Sequence, residues 1–211
     1  KLTITGYVTM GENEFKCYPT GITTTANAAN KDYSVVTLYS GTFTGVNKFT
    51  KSTENSSIYL RSTNGETDGK MKFEMFGGQV TGNIYGGASS TSYTSDIYNT
   101  MKFYGGKVIG DIFGQSANDT FNGGSNITFQ GIFAMNGNIF GGSNVTTTVT
   151  DSTIVGTGAS TIKIENISII TGGSVNVYGG SKSTAGYMEG NATIALNGGT
   201  VSNIYGGGCG S

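Results

Sequence analysis

GGQVTGNIYGG, residues 77–87, sets two glycine pairs around a short segment ending in asparagine, isoleucine and tyrosine. The chain repeats the device: GGKVIGDIFGQ from 105, GNIFGGS from 137, GGSVNVYGGS from 172 and GGTVSNIYGGG from 198. Aligned on the aromatic before the closing glycines, the repeats give a column of Tyr85, Phe113, Phe140, Tyr178 and Tyr205, with steps of 28, 27, 38 and 27 residues. A period between ~20 and ~50 residues is the mark of a solenoid, propeller or array.

Strand periodicity chooses among these. In KMKFEMF, Met71, Phe73 and Met75 fall on one side; in ATIAL, Ile194 and Leu196 do; in SVNVY, Val175 and Val177 do. Alternation of this kind belongs to strands, and no span offers a helical stripe. Propeller signatures are missing, and a blade needs ~40 residues or more. A unit of 27 residues suits three short strands and three turns. The expected fold is all-β: a single-stranded, right-handed parallel β-helix of six to seven coils of roughly 27 residues. Residues 35–211 form the repeats. LYSGTFTGV is an early degenerate unit in which Gly41 and Phe43 match Gly106 and Val108. Residues 1–34 fit poorly and are assigned to an atypical N-terminal coil or cap, since the open end of a solenoid is an adhesive sheet edge.

Three columns follow from the alignment. The residue before the aliphatic is Asn83, Asp111, Asn138, Asn176 or Asn203. Coils stack every ~4.8 Å, and an amide carries both donor and acceptor groups. This column is therefore read as a structural ladder. Next come Ile84, Ile112, Ile139, Val177 and Ile204, all β-branched, which should point into the core. Adjacent strand residues face opposite ways, so the aromatic column Tyr85, Phe113, Phe140, Tyr178 and Tyr205 is expected to face outward or to sit at a corner, as an exposed strip for a ligand. Polar insertions from 88, 115, 143 and 181 leave from the same corner and should gather on one face.

Composition excludes several functions. Glycine is abundant, at 36 residues of 211, but no Gly-X-Y period makes the chain collagen-like. The formal net charge of −1 and the single arginine, Arg61, give no basic footprint for nucleic acid. No run approaches the ~20 apolar residues of a membrane helix. With no histidine in the chain, Cys17 and Cys209 have no partner for nucleophilic catalysis. GGG at 206–208 is followed by no Lys-Ser/Thr and is no phosphate loop. TTTVTDST occurs once, not at coil spacing, which argues against ice binding. Both ends look cut, so the chain is read as a piece of a longer protein.

The tandem G-G-x-V-x-x-N-I-Y-G-G units resemble the glycine-rich repeats of large adhesin-like surface proteins of bacteria. More broadly they resemble the right-handed parallel β-helix superfamily of pectate-lyase type. The resemblance covers roughly residues 70–211. It implies a secreted or cell-surface location and, for some members, action on polysaccharide. Glycosidases need two carboxylates facing one sugar, and in a β-helix these would share a repeat position. Glu74 finds only Gln130 as its nearest polar counterpart. Asp96, Asp119 and Asp151 lie in loops at unrelated offsets and are the weak candidates for a Ca²⁺ site. No metal and no cofactor are expected. The function expected is a non-catalytic adhesin-like scaffold on the cell surface or outside the cell, contacting a host or cell-surface glycan or protein. The alternative is a polysaccharide-active or polysaccharide-binding β-helix, a lyase or a glycoside hydrolase. The two cysteines, separated by ~29 Å if six coils lie between them, should be two free thiols or have their partners in flanking sequence, not bridge each other.

Overall fold

The computed structural model describes residues 71–77, 79–87, 98–117, 123–146, 149–170 and 174–209, and short strands between Leu2 and Tyr59. It is an all-β parallel solenoid, and every strand pair among the described residues is parallel. Residues 71–209 make about four turns, against the six to seven coils expected for the whole repeat region. Strand pairing continues from there to the strand Leu2–Ile4, which joins the strand Ser34–Leu38. Two sheets run the length of the stack. The long sheet carries Met71–Met75, Tyr98–Ile109, Gly124–Asn136, Ser160–Ile170 and Ala192–Leu196, and the short one Asn83–Tyr85, Ile112–Phe113, Ile139–Phe140, Asn176–Tyr178 and Asn203–Tyr205.

The alignment is the observed register. Ile84 pairs with Ile112, Ile112 with Ile139, Ile139 with Val177 and Val177 with Ile204, and the aromatics pair in the same order. Phe43 falls on Val80, which falls on Val108, as the degenerate early unit suggested; Gly41 lies outside the described residues. One unit escapes the alignment. Ser57, Ile58 and Tyr59 stand in register with Asn83, Ile84 and Tyr85. There the segment is followed by Leu60 and Arg61 rather than a glycine pair, so the punctuation is missing.

Alternating side chains fill the interior. Phe73, Met101, Ile127, Ile162 and Ile194 form one column, and Met75, Phe103, Phe129, Ile164 and Leu196 another. The first four of each are fully buried. Leu196 is 44 % exposed because no described coil stacks on it. Ile84, Ile112, Ile139 and Val177 close the core from the short sheet. Met71 is in register, but its side chain lies outside the description. The long strands bend where the register shifts, between Phe103 and Gly105 and between Gln130 and Ile132. Gly106 and Gly131 adopt positive φ at these bends, 106° and 90°, a conformation glycine takes without strain.

Candidate functional site

The aromatic column is interior, which overturns the expectation of an exposed strip. Tyr85, Phe113 and Phe140 are 3 %, 0 % and 1 % exposed. Their rings stack face to face at 4.8 Å and within 7° of parallel, and the stack continues through Tyr178 to Tyr205 at 4.8 and 4.7 Å. The alternation rule itself holds, because these rings point away from the aliphatic core. What covers them is the chain after the glycines. Ala117, Asn144, Lys182 and Cys209 stack in a parallel row, and Ala117 and Cys209 pack on the rings as a second apolar cluster. Only Tyr205, in the last described coil, is substantially open, at 45 %. Ring planes stacked along the axis present edges, not faces, to their surroundings.

The glycine pair is what lets the return segment come so close. A Cβ on Gly114 would meet the carbonyl oxygen of Gly141 in the next coil and the Ser125 hydroxyl, both at 2.5 Å. On Gly179 it would meet the Gly206 oxygen at 2.5 Å and the Ala192 Cβ at 2.7 Å. The second glycine of each pair lies against the next coil's return segment: Gly87 against Ser116, Gly142 against Ser181. Polar side chains at the start of the long-sheet strands fasten this corner within each coil. Asn99 Nδ2 donates to Gly114 O at 3.1 Å and Ser125 Oγ to Gly141 O at 2.6 Å, and Ser160 Oγ donates to Gly179 O.

The Asn83, Asp111, Asn138, Asn176 and Asn203 column is a ladder, with a chemistry only partly as expected. Asn83 Oδ1 accepts the backbone N–H of Asp111 at 2.8 Å, Asp111 Oδ1 that of Asn138 at 2.8 Å, and Asn138 Oδ1 that of Asn176 at 3.2 Å. Amide-to-amide bonds appear only higher up, from Asn176 to Asn138 at 3.1 Å and from Asn203 to Asn176 at 2.8 Å. The lower rungs need an acceptor alone, which is why an aspartate fits at 111. Its second oxygen receives Lys182 Nζ at 3.4 Å, and that ammonium also lies 5.9 Å from the centre of the Phe140 ring. Asn83 and Asn144 donate to the Tyr85 hydroxyl at 3.0 and 3.5 Å. Burial, partly offset by these bonds, raises the Tyr85 pKa above its ordinary value.

Of the candidate metal residues only Asp151 is described. Asp151 is exposed in a turn, and Asp96 and Asp119 lie outside the described residues. Among the described residues no three acidic, cysteine or histidine side chains are grouped to hold a metal. Glu74 is also corrected. Its register partners are Lys102, Thr128 and Lys163, while Gln130 stands beside Glu165 and donates to it at 3.0 Å. The residue count from Glu74 to Gln130 obscures a register that is fixed by the buried neighbours.

The outward side of the long sheet is the surface that sequence reasoning missed. Thr100, Asn126, Thr161 and Thr193 form one row, and Glu74, Lys102, Thr128, Lys163 and Ala195 the next. At its edge Phe76, 42 % exposed, stacks on Tyr104 at 4.5 Å, and Ile132 at the bend is 73 % exposed. The signal was present as the polar alternates of KMKFEMF and its equivalents. A second feature is a cleft of about 580 Å³ beside the 183–191 loop, where the one lining carboxylate is Glu189. No protein-family model matches the chain, and no curated protein or solved structure is significantly similar to it.

Proposed function

We propose that this chain is a non-catalytic, adhesin-like β-solenoid module of the cell surface or extracellular space, a rigid scaffold that contacts a glycan or protein through the outer side of its long sheet. The carrying observation is the division of labour between faces. The aromatic column and the asparagine ladder are consumed in holding coil to coil, whereas the Thr/Asn and Lys/Thr rows repeat outward at the coil spacing of ~4.8 Å, with Lys163 and Thr193 exposed and Thr128 buried and donating to Asn126 Oδ1 at 3.3 Å. Hydroxyl, amide and ammonium groups in rows suit the hydroxyl arrays of a glycan or the polar surface of a protein. The kinship to glycine-rich bacterial surface repeats belongs to this proposal, resting on the motif and the parallel solenoid.

Catalysis on polysaccharide is the weaker reading. The carboxylates described on the outer side of the long sheet, Glu74 and Glu165, stand three strands apart. That is ~14 Å at sheet spacing, beyond the ~5–9.5 Å of a glycosidase pair. The test is a glycan array and polysaccharide pull-down, with and without Ca²⁺, comparing the natural chain with a Lys102→Ala/Lys163→Ala variant. The proposal expects binding that survives chelation and falls at least tenfold in the variant. Binding that the variant leaves intact would show that the contact lies elsewhere.

A further inference from the structure

In the coils from Asn83 onward, one position breaks the glycine rule. Where Gly87, Gly142, Gly180 and Gly207 stand in the other four of these coils, residue 115 is glutamine. Its side chain is fully buried. Its Nε2 donates to Gly123 O at 2.6 Å, which fixes the carboxamide's orientation, because the oxygen could not face that carbonyl. Gln115 Oε1 is left buried with no partner, and so is the hydroxyl of Ser143.

The stack sets the residues that carry these two atoms against each other. The stack sets each second-glycine position against the serine of the next coil, Gly87 against Ser116 and Gly142 against Ser181. By the same rule residue 115 faces Ser143. At Gly142 the contact closes directly: the Ser143 N–H donates to Ser181 Oγ at 3.0 Å. At the glutamine the equivalent bond to Ser143 Oγ is not made. The coil-to-coil bond from Gln115 N to Gly142 O is 3.3 Å, against 3.1 Å from both Gly87 N to Gln115 O and Gly142 N to Gly180 O. The third orphan, Ser116 Oγ, lies one coil earlier beside Gly87.

We infer that a water molecule occupies the interval between Gln115 and Ser143, donating to Gln115 Oε1 and hydrogen-bonding to Ser143 Oγ. Buried polar atoms are almost always paired, and a protein holds on the order of one buried water per ~27 residues, usually at such atoms. Neither orphan is charged, so the site offers nothing to outweigh the dehydration of a divalent cation. The glutamine thus replaces a direct coil-to-coil contact by a bridged one.

The experiment counts long-lived internal waters by magnetic relaxation dispersion in the natural chain and in Gln115→Gly, which installs the residue the repeat uses elsewhere. Ser143→Ala removes the other partner of the water. The inference expects one fewer long-lived water in each variant, with the circular dichroism spectrum unchanged. An unchanged count in the folded Gln115→Gly protein would overturn it. So would a melting temperature raised by one monovalent cation over choline at equal ionic strength and only when Gln115 is present, since an ion would then be the occupant.

Discussion

Phe113→Ala is the sharpest perturbation of the second core. The ring is fully buried and lies between Tyr85 and Phe140, 4.8 Å from each and within 7° of parallel to both. Truncating a buried phenylalanine costs about 3–5 kcal/mol, of which each lost ring pair accounts for roughly 0.5–1.5. The neighbouring coils cannot collapse into the gap, because strand pairing fixes their spacing. A loss near the upper end, about 4–5 kcal/mol, is expected. Tyr205→Ala is the control. That ring has one described neighbour, Tyr178, and is 45 % exposed, so about 1 kcal/mol is expected. Urea denaturation followed by circular dichroism reads both as midpoint shifts at constant slope. A Phe113→Ala loss below about 1.5 kcal/mol, or one equal to that of Tyr205→Ala, would refute an interior ring stack.

Gly141→Ala should cost about 1–3 kcal/mol, because a Cβ there runs into the Gly179 carbonyl and Ser160 at 2.7 Å, whereas Gly206→Ala, with nothing within 4 Å, should fall within about 0.5; equal thermal shifts would contradict the close-approach account. Asp111→Asn keeps the ladder acceptor and loses only the half-exposed pair to Lys182, so it should change stability by less than ~1 kcal/mol, while Asn138→Ala strips an acceptor serving both donors of Asn176 and should cost ~1–3; denaturant melts in which Asp111→Asn is the costlier change would count against the acceptor ladder. Because burial raises the Tyr85 pKa, the folded state holds that proton more tightly than the unfolded state, so stability is full below pH ~10 and declines as pH rises above it; Tyr85→Phe should flatten that alkaline decline, and urea midpoints at pH 9 and 11 with the same drop in both proteins would refute it. Thiol titration of the unfolded, unreduced chain should find two reactive groups, Cys17 and Cys209, and an intramolecular bridge detected by mass would contradict a simple rod.

The repeat made the architecture legible because a solenoid writes one residue's environment several times. Ile84 alone says little; Ile84, Ile112, Ile139, Val177 and Ile204 at one offset identify an inward column. The same logic misplaced the aromatics. Alternation establishes only that Tyr85 and Phe113 point away from the aliphatic core, and it says nothing of what lies on that side. The covering row of Ala117, Asn144, Lys182 and Cys209 shares no residue type, so no pattern announces it. The clue was the glycine pair, whose missing Cβ atoms allow one segment to lie against another. The asparagine ladder was legible as a column, but whether its rungs are amide-to-amide or amide-to-backbone depends on angles that spacing does not encode. The outward rows were hidden by their variety, since Glu74, Lys102, Thr128 and Lys163 align through the register of their buried neighbours alone.

The claim that this solenoid binds without transforming its partner is tested most directly on whichever polysaccharide it retains. The bound chain would be incubated with the protein for a day at neutral pH, with and without Ca²⁺, and the polymer's size distribution, reducing ends and unsaturated products measured by chromatography and mass spectrometry. The account predicts an unchanged distribution alongside saturable binding that falls in Lys102→Ala/Lys163→Ala. Progressive shortening of the polymer, in proportion to protein concentration, would contradict it and make the molecule a polysaccharide-cleaving enzyme.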